Sequence, residues 1–205
     1  MISVLIADDH NIVRDGLKRI LAATPDLQVA GEAASGDATL ALVKANDYDV
    51  VMLDMSMPGL SGIDLIKRLK VEKPKLRILV LSMHGESQYA ARALKAGAAG
   101  YLNKDSAAEV LLGTLRKIAA GGVHIGEAAV AALLQSGKKP PHEILSDREF
   151  EVMRLLVEGL GPTEIGERLH LSVKTVSTHK TRILEKMGME SVADLVRYAV
   201  EKKLS

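Results

Sequence analysis

Short apolar runs alternate with amphipathic stretches through the first 120 residues of the chain. The runs have the length of β-strands, and the stretches between them repeat apolar residues at helical spacing over about ten to fifteen positions. This alternation predicts an α/β fold in which parallel strands form one doubly wound sheet. The five predicted strands are Ile2–Ala7, Leu27–Ala30, Asp49–Leu53, Leu76–Leu81 and Gly100–Leu102.

Four of these strands end at side chains that can bind or react. Asp8 and Asp9 follow the first strand, Asp54 the third and Ser82 the fourth, while Lys104 lies near the end of the fifth. The carboxyl ends of parallel strands share one edge of the sheet, and ligands bind there. We therefore expect these five residues to converge on one site.

Three carboxylates in one small site repel one another, and burying them is costly. A hard divalent cation with a preference for oxygen, most simply Mg²⁺, would relieve this repulsion. One carboxylate could then attack a phosphoryl group and form an aspartyl-phosphate. The metal, the Lys104 ammonium and the Ser82 hydroxyl would bind the three phosphoryl oxygens. The strand-end residues therefore predict phosphoryl chemistry centred on Asp54.

Beyond residue 143 the helical pattern continues without strands. Ser146 opens a helix with capping-box spacing, Pro162 suits the first turn of a second helix, and Ser172 is a good N-cap for a third, Val173–Met187. The second and third of these helices are joined by a tight turn, and the third is longer and basic. This arrangement predicts a helix-turn-helix within a small all-α four-helix domain.

The third of these helices is the one expected to meet DNA. Val176, Ile183 and Met187 form its buried stripe, and Gly166 on the preceding helix would let the two helices cross closely. In such a motif the first residues read base edges in the major groove, and the others hold phosphates. The residues left available outside the stripe are Lys174, Thr175, Ser177, Thr178, Lys180, Thr181 and Arg182.

Residues 122–142 are predicted to link the two regions. The stretch Ser136–Pro141 is rich in glycine, lysine and proline, which makes it the clearest boundary in the chain. Glu127 to Leu134 is helix-prone. The predicted organisation is thus a first domain over 1–121, a linker with a short helix over 122–142, and a second domain over 143–205.

Composition narrows the class of protein. Of the 205 residues 47% are apolar, which suffices for real cores, and none is cysteine, which excludes disulfide scaffolds and Cys-based zinc sites. No apolar run reaches the roughly 18 residues of a membrane span, and Ile2–Ala7 reads as a strand rather than a signal peptide, so we expect a cytoplasmic protein without a membrane partner. The net charge is only +1, yet residues 173–187 hold four cations against one carboxylate. This local excess of positive charge, the basic footprint, indicates a contact with nucleic acid.

The strand-end residues resemble the receiver domain of two-component response regulators. Asp8–Asp9, Asp54 followed by Met57–Pro58 and Gly62, Ser82, and Lys104 match its motif in order and spacing, and the resemblance covers roughly residues 1–120. It implies a flavodoxin-like five-stranded sheet and phosphorylation of Asp54 by a sensor histidine kinase.

The same resemblance implies a role for each site residue. Asp9 and Asp54 would hold Mg²⁺ with Asp8 close by, and the carbonyl of Ser56 would be a further ligand. Ser82 and Lys104 would bind the phosphoryl group. Tyr101 would turn inward when the hydroxyl of Ser82 moves.

Residues 143–205 resemble the LuxR-type DNA-binding domain through Leu145–Glu149, Thr163–Ile165 and Val173–His179. Together with the receiver, this makes the chain similar to response regulators of the NarL/FixJ type. The resemblance implies a transcription regulator with promoter DNA as its target, a homodimer when phosphorylated, and RNA polymerase as a further partner. An apolar stripe on the last helix predicts pairing through Val192, Leu195, Val196 and Ala199.

Three positions depart from these family patterns. Met83 follows Ser82 where many receivers have a small residue, and could restrict access to the site. Asp105 follows Lys104 where many receivers have proline. These two departures leave the rate and lifetime of phosphorylation open, and Met83 also leaves open a receiver that acts without phosphorylation. Ser177 stands where many LuxR-type domains have lysine, so no target sequence follows from the resemblance.

Other functions agree less well with the residues. A phosphohydrolase of the haloacid-dehalogenase kind needs an aspartate two residues after the nucleophile, where Ser56 stands. A LuxR-type sensor of a diffusible ligand needs a pocket, and the N-terminal half has almost no aromatic residues to line one. The C-terminal helices alone would also suit a protein-binding bundle. No GxxxxGK[ST] loop supports an ATPase. We therefore expect a regulator and not an enzyme.

Overall fold

The computed structural model of the chain describes residues 1–57, 60–83, 87–126, 140–202 and 204. It consists of two compact units, Met1–Ala132 and Leu133–Ser205. The helix predicted over 127–134 and part of the receiver motif, Pro58, fall outside the described residues. In the described part of the chain no helix has both the length and the apolar character needed to cross a bilayer.

A five-stranded parallel sheet forms the centre of the first unit, which confirms the predicted fold. Its strand order is β2-β1-β3-β4-β5. β2 runs three residues further than its apolar pattern, because Gly31 and Glu32 pair with Leu5 and Ile6 of β1. The strands are β1 Ile2–Ala7, β2 Leu27–Ala33, β3 Val50–Asp54, β4 Arg77–Ser82 and β5 Gly100–Asn103.

Five helices flank this sheet. Helices α1 and α5 pack Leu17 and Leu115 against Val4 and Met52 of the central strands, and together these residues belong to one apolar core. All of β3 is buried, as expected for a parallel strand covered on both faces. The helices are α1 Asn11–Ala22, α2 Gly36–Ala45, α3 Gly62–Glu72, α4 Ser87–Lys95 and α5 Ala108–Ala119.

The start of α2 lies against the loop that follows β3. A β-carbon placed on Gly36 would lie 1.4 Å from the carbonyl oxygen of Leu60 and 2.6 Å from its carbonyl carbon. Ser35 fixes the helix start from the other side, because its Oγ accepts a hydrogen bond from the backbone N–H of Ala38 at 3.2 Å. The loop after Asp54 is therefore held against a capped helix end.

The second unit is helical and contains the four predicted helices. Its first helix starts with a complete capping box: the Ser146 hydroxyl accepts from the Glu149 N–H, and the Glu149 carboxylate accepts from the Ser146 N–H. A 3₁₀ turn, which the sequence pattern did not predict, precedes it. The elements are the 3₁₀ helix Pro141–Ile144 and helices α6 Asp147–Val157, α7 Pro162–Leu169, α8 Val173–Met187 and α9 Val192–Lys202.

The last helix contributes its apolar stripe to the core of this unit. Leu195 and Ala199 are fully buried, together with Phe150 of α6 and Ile183 of α8. Pairing of two chains through Leu195 and Ala199, as the stripe suggested, is therefore wrong for these two residues. An apolar stripe on a helix has the same spacing whether it covers its own core or a partner.

Candidate functional site

The carboxylates predicted to converge do so at the carboxyl edge of the sheet. Asp8 and Asp9 directly follow β1, and Asp54 is the last residue of β3. Ligand atoms of these three residues and of His10 all lie within 4.8 Å of one another. The side chains of Asp8 and Asp54 are only 2% and 5% exposed, so two carboxylates are held almost entirely out of water.

Lys104 joins the two buried carboxylates. Its Nζ lies 2.6 Å from Oδ2 of Asp8 and 3.2 Å from Oδ1 of Asp54, and its side chain is 8% exposed. The backbone N–H of Lys104 donates to the carbonyl of Ser82 at 2.8 Å, which places the ends of β4 and β5 side by side. Ser82 is itself buried. The structure thus gathers the predicted nucleophile, ammonium and acidic pair, and a backbone hydrogen bond ties Ser82 to Lys104.

Oδ2 of Asp54 is buried and has no hydrogen-bond partner among the described residues. Oδ1 of Asp9 is also buried; it lies 3.0 Å from Nδ1 of His10 but makes no hydrogen bond to it. Buried charged oxygens without a partner are costly, and hard oxygen ligands are the ones that Mg²⁺ prefers. The residues present therefore fit a divalent cation. Ser56, two residues beyond Asp54, is half-buried.

Burial raises the pKa of the Asp54 carboxyl above its usual value of 3.8. The ammonium of Lys104 lowers this pKa, while the neighbouring charges of Asp8 and Asp9 raise it, and the net shift is upward. The charged form of Asp54, which is the nucleophilic form, is thus disfavoured by burial and stabilised by Lys104.

Replacing Asp54 with asparagine is expected to stabilise the receiver at neutral pH without Mg²⁺. The pKa of Asp54 in the folded state lies above the ordinary 3.8. The charged carboxylate therefore lowers the stability of the fold at pH values above the folded-state pKa, and this cost disappears as the pH falls toward 3.8. Asp54→Asn should therefore raise Tm near neutrality and leave it almost unchanged near pH 4. Thermal unfolding in EDTA at both pH values measures this, and equal Tm values at neutral pH would contradict it.

Two further side chains, those of Arg14 and His10, lie beside the acidic pair. The Arg14 guanidinium, 14% exposed, donates to the backbone carbonyl of Asp8 at 2.6 Å and lies 3.5 Å from Oε2 of Glu32. His10 holds the N-cap position of α1, but its side chain makes no capping hydrogen bond and is 66% exposed. Its Nδ1 instead lies 3.0 Å from Oδ1 of Asp9.

Three further residues of the receiver motif have clear positions. Tyr101 is buried, and Met83 is 59% exposed. The N–H of Asp105 donates to Oδ1 of Asn103 at 2.9 Å, a hydrogen bond that proline at this position could not make. The turn after β5 is therefore held by a hydrogen bond that requires a residue other than proline at position 105.

Helix α8 presents the predicted DNA-contacting residues to solvent. Val176, Ile183 and Met187 are buried, as predicted, and Ser172 caps the helix by accepting from the Thr175 N–H at 3.1 Å. Lys180 is half-buried, and the remaining members of the predicted set are exposed. The exposed members are Lys174, Thr175, Ser177, Thr178, Thr181 and Arg182.

The turn between α7 and α8 is fixed by backbone contacts. A β-carbon on Gly166 would lie 2.7 Å from the carbonyl oxygen of Leu171 and 3.8 Å from the backbone nitrogen of Val173, the first residue of α8, so glycine is needed for the tight turn. The Leu171 N–H donates to the Gly166 carbonyl at 2.8 Å. His170 ends α7 in the left-handed region at φ 52°, and Arg148 donates to the Leu169 carbonyl at 2.8 Å.

One cation counted in the basic footprint is already paired. Nζ of Lys186 lies 2.7 and 2.9 Å from the two carboxylate oxygens of Glu149, whose side chain is 5% exposed. Glu149 belongs to α6 and is 37 residues away in sequence. This leaves Lys174, Lys180 and Arg182 as the cations of α8 available to DNA phosphates.

Two protein families match the chain, one for each unit. The family described as a response regulator receiver domain matches residues 4–116, and the family described as bacterial regulatory proteins of the luxR family matches residues 143–199. The first match spans the acidic site, and the second spans the helix-turn-helix.

Full-length relatives share both parts. The response regulator UvrY of Escherichia coli O6:H1 is 34% identical over 209 residues, covering 100% of this chain and 96% of UvrY. A structure of RcsB from Salmonella enterica serovar Typhimurium, bound to promoter rprA with the phosphomimetic BeF₃⁻, is 32% identical with a TM-score of 0.69 over 96% of this chain and 97% of that one. A second RcsB structure, of two dimers bound to two parallel DNAs, is 32% identical with a TM-score of 0.62 over 97% and 98%.

These matches agree with the acidic edge of a parallel sheet in one unit and the exposed basic helix in the other. The chain belongs to the NarL/FixJ-type response regulators, DNA-binding regulators in which a receiver domain is followed by a LuxR-type helix-turn-helix domain.

Proposed function

We propose that a sensor histidine kinase phosphorylates this regulator on Asp54. The observation that carries the proposal is the contrast between the two oxygens of Asp54: Oδ1 lies 3.2 Å from Nζ of Lys104, whereas the buried Oδ2 has no hydrogen-bond partner in the described part of the chain. Oδ2 would attack phosphorus, and the bond between phosphorus and the donor imidazole nitrogen would break. Lys104 would hold the carboxylate during attack and a phosphoryl oxygen afterwards, and Ser82 would bind a second oxygen.

The acidic pair is proposed to hold Mg²⁺ together with Asp54. Asp9 and Asp54 would be ligands through Oδ1 and Oδ2 respectively, with Asp8 close by and the Ser56 carbonyl as a further ligand. The cation neutralises negative charge on the phosphoryl oxygens when bound. Arg14 would keep the backbone of Asp8 in place through its carbonyl. Tyr101 would respond to movement of Ser82.

The output of the switch is proposed to be transcription at promoter DNA. Helix α8 would enter the major groove through Lys174, Thr175, Ser177, Thr178 and Thr181, with Lys180 and Arg182 on the phosphates. Phosphorylated chains would bind as a homodimer, would meet RNA polymerase at the promoter, and would act in the cytoplasm without a membrane partner. We propose domain limits of 1–121 and 143–205. Ser56, in place of an acid–base aspartate, supports a switch rather than an enzyme.

Phosphorylation by acetyl phosphate tests the proposal directly. Wild type incubated with Mg²⁺ and acetyl phosphate should shift on a phosphate-affinity gel, whereas Asp54→Ala should not, because the attacking oxygen is gone. Phosphorylation should tighten DNA binding about 5- to 150-fold, the range of a coupling of about 1–3 kcal/mol. Sedimentation with DNA should show a dimer only for the phosphorylated protein.

Either of two results would overturn the proposal. An Asp54→Ala protein that is phosphorylated as fast as wild type would place the phosphoryl group elsewhere. If the wild type is phosphorylated but binds DNA with unchanged affinity, phosphorylation of the receiver does not control DNA binding.

Removing one phosphate contact is expected to change the salt dependence of DNA binding. Lys180→Ala should reduce the slope of log affinity against log salt by about 0.9, because one fewer counterion is released. Lys75→Ala removes an exposed receiver lysine and should leave the slope unchanged. Fluorescence anisotropy over a salt series measures both, and equal slopes for the two variants would exclude a phosphate contact by Lys180.

A further inference from the structure

Two threonines on the exposed face of α8 donate their hydroxyl hydrogens to their own helix. Oγ1 of Thr178 lies 2.9 Å from the Lys174 carbonyl, and Oγ1 of Thr181 lies 3.2 Å from the Ser177 carbonyl. A carbonyl oxygen only accepts, so the threonine hydroxyl is the donor in each pair. Both side chains are exposed.

These two threonines are neighbours on the surface that faces away from the core. Residues three apart lie side by side on a helix, and α8 buries the opposite side through Val176, Ile183 and Met187. What Thr178 and Thr181 offer to a ligand is therefore a methyl group and an oxygen lone pair, while their donor hydrogens are occupied. Lys174, Lys180 and Arg182 are the available cationic donors on this helix.

In the major groove the group that matches an exposed methyl is the 5-methyl of thymine. We propose that Thr178 and Thr181 recognise thymine through methyl–methyl contact rather than through a hydroxyl hydrogen bond. This rests on the proposed placement of α8 in the major groove. It specifies the chemistry of that contact, which the motif alone leaves open because threonine hydroxyls can bond to several bases.

Uracil-substituted DNA tests this contact, since uracil differs from thymine only by the missing 5-methyl. Duplexes enriched from a random pool by the phosphorylated full-length chain would be resynthesised with deoxyuridine for thymidine. Wild type should bind the uracil duplex about fourfold more weakly for each methyl contacted, which corresponds to about 0.8 kcal/mol. An unrelated duplex with the same replacement measures any effect on non-specific binding.

A matched pair of double variants separates the methyl from the hydroxyl. Thr178→Val with Thr181→Val keeps both methyls, and this protein should still discriminate thymine from uracil. Thr178→Ser with Thr181→Ser keeps both hydroxyls, and this protein should bind the two duplexes equally. Circular dichroism confirms that both variants remain helical.

Three outcomes would overturn the inference. Wild type could bind both duplexes equally, or the serine variant could retain the preference. The valine variant could also lose specific binding while the serine variant keeps it, which would assign the contact to the hydroxyl oxygen. If no duplex is enriched at all, the proposed placement of α8 on DNA is wrong. This result differs from the other three, which overturn only the thymine contact.

Discussion

Gly36→Ala is expected to destabilise the receiver by more than about 4 kcal/mol, an exceptional cost for one methyl group. The new β-carbon would lie 1.4 Å from the carbonyl oxygen of Leu60, so either the start of α2 or the loop after Asp54 must move. Both are backbone, and Ser35 caps the helix at this point, so neither side yields at low cost.

The matched control for this substitution is Gly16→Ala in α1. Apart from its own helix backbone and chain neighbours, a β-carbon there would have none of the described atoms within 4 Å, and alanine in a helix is about 0.5–1 kcal/mol more favourable than glycine. Urea unfolding should therefore move the two variants in opposite directions. Because the displaced loop follows Asp54, Gly36→Ala should also slow phosphorylation by acetyl phosphate. Equal midpoints for the two variants would show that the loop adapts freely.

Glu149→Ala is expected to cost the second unit about 3 kcal/mol. The carboxylate is 5% exposed and accepts from the Ser146 N–H at 2.8 Å and from Lys186 at 2.7 Å. Removing it leaves a helix start without half of its capping box and frees Lys186. Since Lys186 is 42% exposed, it can turn to water, which keeps the cost below that of a fully buried pair.

The pH dependence of this loss distinguishes the ionic contact from simple packing. Burial raises the pKa of Glu149, but Lys186 and Ser146 outweigh it, and the net pKa lies below the ordinary 4.5. A lowered folded-state pKa gives stability that is complete above 4.5 and is lost as the pH falls through the folded value. The difference between wild type and Glu149→Ala should shrink in acid. Glu185→Ala, an exposed neighbour of Lys186, should change little at any pH.

Much of the fold and the candidate site follows from local pattern. Asp8, Asp54 and Lys104 could be brought together from sequence because each ends an apolar strand, and parallel strands share one edge. The extension of β2 could not, because Gly31 and Glu32 are held by pairing with β1 and not by their own apolarity.

Long-range polar contacts account for most of what the sequence left out. Lys186 looked like a DNA-binding cation because its partner, Glu149, lies 37 residues away. Arg14 was not singled out from the sequence, although it donates to the carbonyl of Asp8. Leu195 and Ala199 were ambiguous because their spacing serves a core and an interface equally well.

The turn between α7 and α8 bears on the thermodynamics of recognition. Its backbone is already fixed by the Leu171–Gly166 hydrogen bond, by left-handed His170 and by Arg148 on the Leu169 carbonyl. In the proposed complex, DNA would therefore meet a helix whose preceding turn is already ordered. The heat capacity change of binding should reflect only the area of the docked surfaces, without the larger negative value that accompanies folding coupled to binding.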